Sequence, residues 1–582
     1  MKQGYLVCAG PVDAQVHLPR ALLSSLARHG IAERWRGHRL ALYAQDDLPV
    51  LPFEDRSGFL IGHLFDGAGT LVQGELAAGL SIAGAEELSE QYWGSYAAFA
   101  DDGRGFAALR DPSGGLPLYR VRTGGAHFFT SVPHLLVDCG LINAELDWQA
   151  VGRSLTRHAS RRSDTALRGI EELLPGELLD LGPDTQTVQR IWDPWRHARS
   201  SPGAMKAQVA VLEQVLGSTL AAWGRTTVRP LIELSGGLDS AIIAAGIVAA
   251  APDAELITFA AASGDPDEIA YARAIAGHLG RPLEIVHPRV EDVDLTRSLS
   301  CNLPRPNARA FTQAADAQSL GHARTIGADA FVSGGGGDDV FCYLRTILPA
   351  VDRLGAEGVG GMMRTARDIA IMTHSTVWDA FGRIARRLAR GGPTAARADH
   401  RLIDQTYLAD EVADRPQDSA VEPRDRRLPP GKAEHVEAVL TIHNYLEGHA
   451  RSAFAPILSP LLSQPIVECC LAVPTWHWCD RGRNRAVARS AFAGRLPRIA
   501  IERRSKGSFD GFCARLVHVN RALIGEMLID GRLAGQGIID CKAIASALAH
   551  PSPSAATVSR ILTLVDVESW VQGWATRPTP GD

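Results

Sequence analysis

The sequence VRPLIELSGGLDSAIIAAGIVAA, residues 228–250, decides the fold of the second half of the chain. It starts with a mostly apolar run at 228–234, passes through a turn rich in Gly and Ser, and continues as an apolar stretch of helical length. A buried strand that leads directly into a buried helix is typical of a parallel sheet with helices on its faces. The segment therefore predicts an α/β domain.

The turn of this segment has the composition of a pyrophosphate site. Gly236 and Gly237 let the backbone approach a phosphate, and the start of the following helix offers N–H groups with partial positive charge. Ser235 and Ser240 add hydroxyl donors. The turn has no GK[ST] sequence, so release of intact pyrophosphate is favoured over hydrolysis at a γ-phosphate.

Asp239 lies inside this turn, where phosphates would repel its carboxylate unless a cation lay between them. We therefore predict that Asp239 binds magnesium. The alternative is that Asp239 only caps the helix N-terminus.

The same alternation continues downstream. Strands are predicted at 255–261, 283–286 and 330–333, and helices at 266–279 and 312–326, in addition to 240–250. Ligands of open α/β sheets bind at the carboxyl ends of the strands.

A second loop follows one of these strands in ADAFVSGGGGDDVF, residues 328–341. Four consecutive glycines favour a close approach of the backbone to a nucleotide. Asp338 is predicted to be a second magnesium ligand. On its own the loop could equally be flexible with a solvated acidic pair, but its combination with the first turn favours a joint site.

The chain of 582 residues is too long for one core. Short β-like runs separated by Gly, Pro and Asp turns extend to about residue 181 and predict a sheet-rich N-terminal domain. We place the domains at 1–195 and 196–582. The Arg-, Ala-, Gly- and Pro-rich stretch 347–431 is expected to contain loops or mobile helices.

Composition narrows the function classes. The net charge is −5, with 46% apolar and 21% charged residues, which does not favour a nucleic-acid partner. The longest apolar run, 241–251, is too short to span a membrane. The nine cysteines include no CxxC pair, so we expect reduced thiols in a cytoplasmic enzyme.

LSGGLDS resembles the adenylating PP-loop of the asparagine synthetase superfamily, and the resemblance covers nearly the whole chain. It implies that ATP is bound, that Asp239 and Asp338 share Mg²⁺, and that Lys506, in RNRAVARSAFAGRLPRIAIERRSKGSF (483–509), stabilises negative charge during adenylation and amide formation. The nucleotide-binding residues that it implies are Leu234, Ser235, Gly236, Gly237, Asp239, Ser240, Ala261, Ser333 and Gly334.

The N-terminal half resembles the glutaminase domain of glutamine-dependent asparagine synthetases, in RDPSGGLPLYR (110–120), FFTSVPHLL (128–136) and LRGIEELLPGELLDL (167–181). Fold class is therefore α/β overall: an α+β, Ntn-type N-terminal sandwich followed by a parallel-sheet synthetase domain. The family's nucleophile is an N-terminal cysteine, whereas this sequence has Lys2, and Cys8 lies within a strand-like run. We expect no glutaminase chemistry.

Two branches of the superfamily lack that cysteine, namely β-lactam synthetases and lasso-peptide cyclases. Asparagine synthetases have a Glu and β-lactam synthetases a Tyr at the position of Gly335, so Gly335 removes an acid/base candidate and leaves room for a peptide. SGGGGDDVF and residues 450–474 are similar to lasso cyclases. This resemblance implies a precursor peptide as substrate, with a leader-binding protein and a leader peptidase as partners, and neither nucleic acid nor membrane.

The attacking amine must lose a proton, so a base is expected near the acyl carbon. In LTIHNYLEGHARS (440–452), His443 and Glu447 would share one face of a helix, with Tyr445 pointing elsewhere. Glu447 could orient His443 or accept the proton itself. Ordinary packing and surface pairing is the alternative.

Two further features each allow a structural and a functional interpretation. The arginine-rich segment 383–401 is either a docking surface for an acidic partner or, as we favour, a solvated amphipathic helix and loop. Trp192 and Trp195 are expected to pack the domains together. Three functions stay open: the lasso cyclase, an ammonia-using asparagine synthetase or β-lactam-synthetase-like ligase, and a non-catalytic nucleotide-binding scaffold.

Overall fold

A computed structural model describes most of the chain. The described residues are 3–10, 18–76, 82–101, 103, 105–157, 161–182, 185–199, 203–260, 266–344, 346–390, 398–413, 428–504, 507 and 509–577. Two residues of the predicted site, Ala261 and Lys506, lie outside this set, as does Lys2.

The N-terminal region is a sandwich of two six-stranded antiparallel sheets. One sheet has the strand order β10-β8-β9-β1-β3-β2 and the other β12-β11-β7-β6-β5-β4. The strands are β1 (Tyr5–Ala9), β2 (Ile31–Arg36), β3 (Leu40–Gln45), β4 (Val50–Pro52), β5 (Gly58–Asp66), β6 (Tyr92–Asp101), β7 (Phe106–Arg110), β8 (Tyr119–Thr123), β9 (Ala126–Thr130), β10 (Ile170–Glu172), β11 (Glu177–Leu181) and β12 (Gln186–Arg190).

Alternation of side chains along the strands separates two layers of core. Tyr5 and Val7 of β1 face Phe59 and Phe99 of the second sheet, because successive strand residues point to opposite faces. Cys8 faces the other way, into a helical layer. The helices of this region are α1 (Arg20–Arg28), α2 (Ile82–Gln91), α3 (His134–Asp138), α4 (Trp148–Thr156) and α5 (Pro194–His197).

The second region contains a five-stranded, all-parallel sheet in the order β15-β14-β13-β16-β17. The predicted α/β architecture and its four strands are confirmed, and β17 is an added edge that the sequence did not predict. The chain order reverses between β13 and β16, which makes that crevice the topological switch point. The strands are β13 (Pro230–Glu233), β14 (Glu255–Phe259), β15 (Leu283–Val286), β16 (Ala330–Val332) and β17 (Ile457–Leu458).

Helices cover this sheet and extend well beyond it. Their boundaries follow local sequence: the helix that begins at Gln313 ends at Ile326, and Gly327 directly after it has a φ of +68°, the left-handed conformation that commonly terminates a helix. The helices are α6 (Met205–Gly224), α7 (Leu238–Val248), α8 (Pro266–Leu279), α9 (Gln313–Ile326), α10 (Gly337–Val340), α11 (Leu348–Thr373), α12 (Val377–Arg390), α13 (Gln405–Ala413), α14 (Pro430–Ile442), α15 (Gln464–Ala472), α16 (Ala486–Ala491), α17 (Arg498–Glu502), α18 (Asp510–Val519), α19 (Arg521–Ile529), α20 (Arg532–Gly535), α21 (Cys541–Ala549) and α22 (Ala555–Ala575).

The stretch expected to contain loops or mobile helices is largely helical where it is described. α11 alone has 26 residues, with a kink at Gly358, and α12 buries Ala380 and Ile384 while it exposes most of its arginines. The solvated amphipathic helix favoured from sequence fits this burial pattern. Within the described residues, no helix combines the length and apolarity that a membrane span requires.

Clusters of buried apolar side chains extend from the N-terminal region into the second region. Trp192 and Trp195 are buried in the cluster that contains the α7 side chains, and the Trp192 indole N–H donates to Glu468 of α15 at 2.8 Å. The prediction that these tryptophans join the two regions is confirmed. On the opposite side, Trp570 of α22 belongs to the cluster that covers the first N-terminal sheet, so the end of the chain also packs against its beginning.

All nine cysteines lie in the described part of the chain, and each is a free thiol. Cys8 is fully enclosed within β1, and burial raises its pKa far above the ordinary range of a thiol. A thiol held protonated inside a sheet is a poor nucleophile. Cys8 therefore does not supply the glutaminase function, in agreement with the sequence-based expectation.

Candidate active site at the switch point of the parallel sheet

The turn after β13 joins strand and helix through a network of its own hydroxyls. The Ser235 N–H donates to the Ser240 hydroxyl at 3.2 Å, and the two hydroxyl oxygens lie 3.1 Å apart. α7 starts at Leu238 with Gly237 as its N-cap and without a side-chain cap. The first turn of α7 therefore presents main-chain N–H groups and the positive end of the helix dipole, which together attract anions.

Gly236 is required at its position for two reasons. Its φ of +69° is left-handed, and an added Cβ would lie 2.9 Å from the Glu268 carbonyl oxygen and 3.0 Å from Arg503 NH1. Leu234, just before it, is fully buried, and its N–H extends the sheet by donating to Ile257 O at 2.8 Å. The turn is thus held rigidly between the sheet and the segments that follow α7.

The glycine loop after β16 packs directly on this turn. Ser333 continues the sheet by donating to Leu458 O at 3.0 Å, and a Cβ on Gly334 would lie 3.1 Å from the Ser240 nitrogen. A Cβ on Gly337 would lie 2.5 Å from the Cβ of Asp239. The two predicted loops therefore form one site, as the parallel topology requires.

Gly335 differs from its neighbours. The nearest atom to an added Cβ there is the Ser333 hydroxyl oxygen at 3.5 Å, which is an ordinary contact. An alanine methyl would therefore fit at Gly335 without displacing a neighbour, whereas each of the other three glycines of the loop would bring a Cβ closer than 3.4 Å to another atom.

Asp239 and Asp338 converge on one cation, the guanidinium of Arg485. Arg485 NH1 donates to Asp239 Oδ2 and to Asp338 Oδ1, each at 2.7 Å. Arg485 is itself buried, and its guanidinium lies 5.0 Å from the centre of the Tyr343 ring. The predicted carboxylate pair is therefore assembled, with an arginine that sequence reasoning did not single out.

This donor set fits magnesium. Two carboxylates that a single nitrogen can reach are close enough to be bridged by one cation, and Mg²⁺ prefers oxygen ligands. No group of three or more His, Cys, Asp or Glu side chains is arranged for a metal among the residues that the structure describes. A magnesium ion held by Asp239 and Asp338 would take its other ligands from water and phosphate oxygens.

Arg503 is a second cation at the site that was not predicted. Its guanidinium lies 4.4 Å from the centre of the Tyr271 ring and 3.5 Å from Glu268, beside the backbone of Gly236. Both Arg485 and Arg503 lie in the segment 483–509 that contains Lys506. Their signal in the sequence was the density of arginines there, but density alone does not tell which arginine faces the turn.

The helical arrangement predicted for His443 and Glu447 is wrong. α14 ends at Ile442, residues 443–445 form a 3₁₀ turn, and Glu447 lies beyond it. The two side chains are therefore not one α-helical turn apart. The Glu447 carboxylate instead accepts hydrogen bonds from Tyr119 at 2.7 Å and from Arg161 at 3.0 Å, both in the N-terminal sandwich region.

His443 is also a poor candidate for the base. It is buried, and burial, assisted by the nearby charge of Arg161, lowers the pKa of His443 to about 3. A group with that pKa is neutral at physiological pH and accepts a proton only weakly. His443 and Glu447 thus connect the synthetase region to the sandwich, because Arg161 donates both to the His443 carbonyl oxygen and to the Glu447 carboxylate.

The fold and the site define a class of protein before any comparison: a parallel α/β enzyme with an anion-binding turn and a shared carboxylate pair at its switch point. A family model described as "Asparagine synthase" matches residues 212–574, more than half of the chain. The chain therefore belongs to the asparagine synthase family and is an ATP-dependent, amide-forming ligase of the asparagine synthetase superfamily.

Two solved structures align with the chain at low sequence identity. One, the allosteric regulatory enzyme of purine biosynthesis, is 11% identical; the alignment covers 49% of this chain and 81% of the other, with a TM-score of 0.22. The other, glutamine phosphoribosylpyrophosphate (PRPP) amidotransferase from B. subtilis with ADP and GMP, is 12% identical, with coverage of 57% and 90% and a TM-score of 0.22. No curated protein matched the chain. At these TM-scores the two structures carry no functional argument.

Proposed function

We propose that this ligase is a lasso-peptide cyclase. It adenylates an Asp or Glu side chain of a precursor core peptide, and the N-terminal amine of the same peptide attacks the acyl carbon to give a macrolactam. The single observation that carries the proposal is the uncrowded position of Gly335, where an added Cβ would meet only the Ser333 hydroxyl within 4 Å.

The first step forms a bond between a carboxylate oxygen and the α-phosphorus of ATP, with release of pyrophosphate. The Ser235–Ser240 turn and the first turn of α7 hold the phosphates by N–H and hydroxyl donation. Asp239 and Asp338 would hold Mg²⁺, which when bound supplies positive charge against the phosphates. Arg485 holds the two carboxylates side by side.

In the second step the amine nitrogen bonds to the acyl carbon, the bond to the AMP oxygen breaks, and the amine loses a proton. The resemblance assigns Lys506 to stabilise the negative charge that develops in both steps. The buried environment of His443 and the ion pair of Glu447 argue against either residue as the proton acceptor. We assign the proton to the leaving phosphate, which is attached to the acyl carbon until the amine displaces it.

The proposed substrate and partners are a precursor peptide, a leader-binding protein and a leader peptidase that exposes the amine, all in the cytoplasm where ATP is available. The N-terminal sandwich then has a structural role. Its Arg161 and Tyr119 hold the chain around Glu447 in place, while Cys8 is locked within β1.

The experiment compares acceptors directly. Purified protein receives ATP and Mg²⁺ with either a leaderless core peptide or aspartate and ammonium, and AMP, pyrophosphate and product mass are measured. Peptide-dependent AMP formation with loss of one water from the peptide supports the cyclase, and Asp239→Ala should abolish it. AMP formation with aspartate and ammonium alone would instead indicate an ammonia-using synthetase, and no turnover with any acceptor would indicate a scaffold.

A further inference from the structure

A cavity of about 420 Å³ opens between the C-terminal end of α11 and the segment 482–504. Four arginines line it, whereas Glu502 is the one carboxylate among its lining residues. Glu502 is itself turned to an exposed ion pair with Arg498 at 2.7 Å. The cavity is therefore strongly positive. Its arginines are Arg483, Arg489, Arg503 and Arg504.

Two of these arginines make no hydrogen bond to a carboxylate among the described residues. Arg489 is 4% exposed, and the hydrogen bonds it makes within the described residues go to neutral oxygens of Asn484 and Ile501. Burial, together with the charge of Arg485, lowers the pKa of Arg489 to about 10, and the nearby charge of Asp239 offsets this only in part. The Nε of Arg483 is buried with no hydrogen-bond partner among the described residues. Cations in such a position are stabilised by an anionic ligand.

The cavity adjoins the candidate active site through two side chains. Arg503, which lines it, also lies beside the backbone of Gly236. Tyr343, on another wall, makes a cation–π contact with the guanidinium of Arg485. The cavity is thus one side chain away from the anion-binding turn and from the carboxylate pair.

We propose that this arginine cavity is a second anion site that receives inorganic pyrophosphate when it leaves the Ser235–Ser240 turn. The source of the pyrophosphate rests on the proposed function, whereas the site itself rests on the cavity. Arginine matches the geometry of phosphate oxygens with paired N–H groups. A compact, multiply charged anion suits four clustered arginines better than the single carboxylate of a peptide side chain does.

A pyrophosphate site separate from the turn has a measurable consequence. Pyrophosphate binds to the protein even when a non-hydrolysable ATP analogue fills the turn. Titration calorimetry of inorganic pyrophosphate into the full chain, with saturating analogue and Mg²⁺, measures this directly. Orthophosphate and a hexaglutamate peptide are titrated in parallel.

The test variant is Arg483→Gln with Arg504→Gln, which leaves the packed arginines Arg489 and Arg503 in place. The matched control is Arg196→Gln with Arg495→Gln, two exposed arginines that do not line the cavity. Loss of two charge-assisted contacts should weaken pyrophosphate binding at least about tenfold, while the control stays within about twofold of the wild type. Thermal unfolding verifies that both variants fold.

Three outcomes overturn the proposal: the analogue eliminates pyrophosphate binding, the test variant binds as tightly as the control, or the cavity takes hexaglutamate and not pyrophosphate. The assay involves neither peptide nor turnover. A protein that fails to cyclise any peptide but still binds pyrophosphate in this way would refute the cyclase and retain the second anion site.

Discussion

The substitution Gly337→Ala tests whether the glycine loop after β16 holds Asp239 of the first turn in place. A Cβ at Gly337 would lie 2.5 Å from the Asp239 Cβ and 2.6 Å from its Cγ. Carbon atoms in favourable contact are about 3.5–4.0 Å apart, so relief of the clash demands a displacement of about 1 Å. Leu461 Cδ1 also lies only 2.9 Å from the added Cβ, but the shorter contacts are those with Asp239, so we expect Asp239 or the glycine loop to move.

Two magnitudes follow for Gly337→Ala. Overpacking of this size should lower the free energy of unfolding by about 1–3 kcal/mol. A carboxylate displaced by about 1 Å should lower the rate of pyrophosphate release by about a hundredfold. Steady-state pyrophosphate release at saturating ATP measures the rate, and thermal unfolding measures the stability.

The matched control is Gly335→Ala in the same loop. Neither glycine has a positive φ, so alanine is compatible with the backbone at both positions and only the steric surroundings differ. Gly335→Ala should retain stability and most of the activity of the wild type. If Gly337→Ala were as active as Gly335→Ala, the inferred contact between the loops would be refuted.

The remaining predictions concern charge. Arg485→Gln leaves two facing carboxylates without their cation, so the unfolding temperature in the absence of magnesium should be lower than that of the wild type. Addition of magnesium should then raise the unfolding temperature of the variant more than that of the wild type. An equal rise in both proteins would contradict a shared magnesium site. Glu447→Gln weakens the contact with Arg161 and should lower the free energy of unfolding by about 1–3 kcal/mol. Because Tyr119 and Arg161 already occupy the Glu447 carboxylate, activity per folded molecule should stay within about tenfold of the wild type. A loss of about a thousandfold with an altered pH–rate profile would instead indicate that Glu447 is the base. His443 is neutral in the folded state, with its pKa lowered to about 3 by burial, so it contributes stability above about pH 6.5 that is lost as pH falls, by about 2 kcal/mol at pH 5. Unfolding of His443→Asn should therefore depend less on pH in this window, and an unchanged slope would contradict the assignment.

The parallel sheet could be predicted from the sequence because the patterns that specify it lie within short stretches of the chain. Buried strands that enter helices through Gly-rich turns specify the βα units at Ser235–Ser240 and Ser333–Gly337, and parallel topology then brings the strand ends together. The carboxylate pair follows from the same logic. β17 was missed because two residues, Ile457 and Leu458, are too short to give a periodic pattern.

The features that the sequence did not predict correctly depend on contacts between distant parts of the chain. The 440–452 segment has helical spacing, but Tyr119 and Arg161 of the sandwich take the Glu447 carboxylate and the helix stops at Ile442. Propensity cannot anticipate such a tertiary partner. Arg485 was not distinguished from its neighbours for the same reason, since only the fold directs one arginine of that segment to the carboxylates.

The central claim, formation of an amide through an acyl-adenylate, is tested most directly by isotope transfer. A core peptide whose side-chain carboxylate carries ¹⁸O is incubated with the protein, ATP and Mg²⁺, and AMP is analysed by mass spectrometry. Adenylation followed by attack of the amine leaves one labelled carboxylate oxygen on AMP, so we expect labelled AMP in equal amount to cyclised peptide. Unlabelled AMP, or label found in inorganic phosphate with ADP as the other product, would contradict the account.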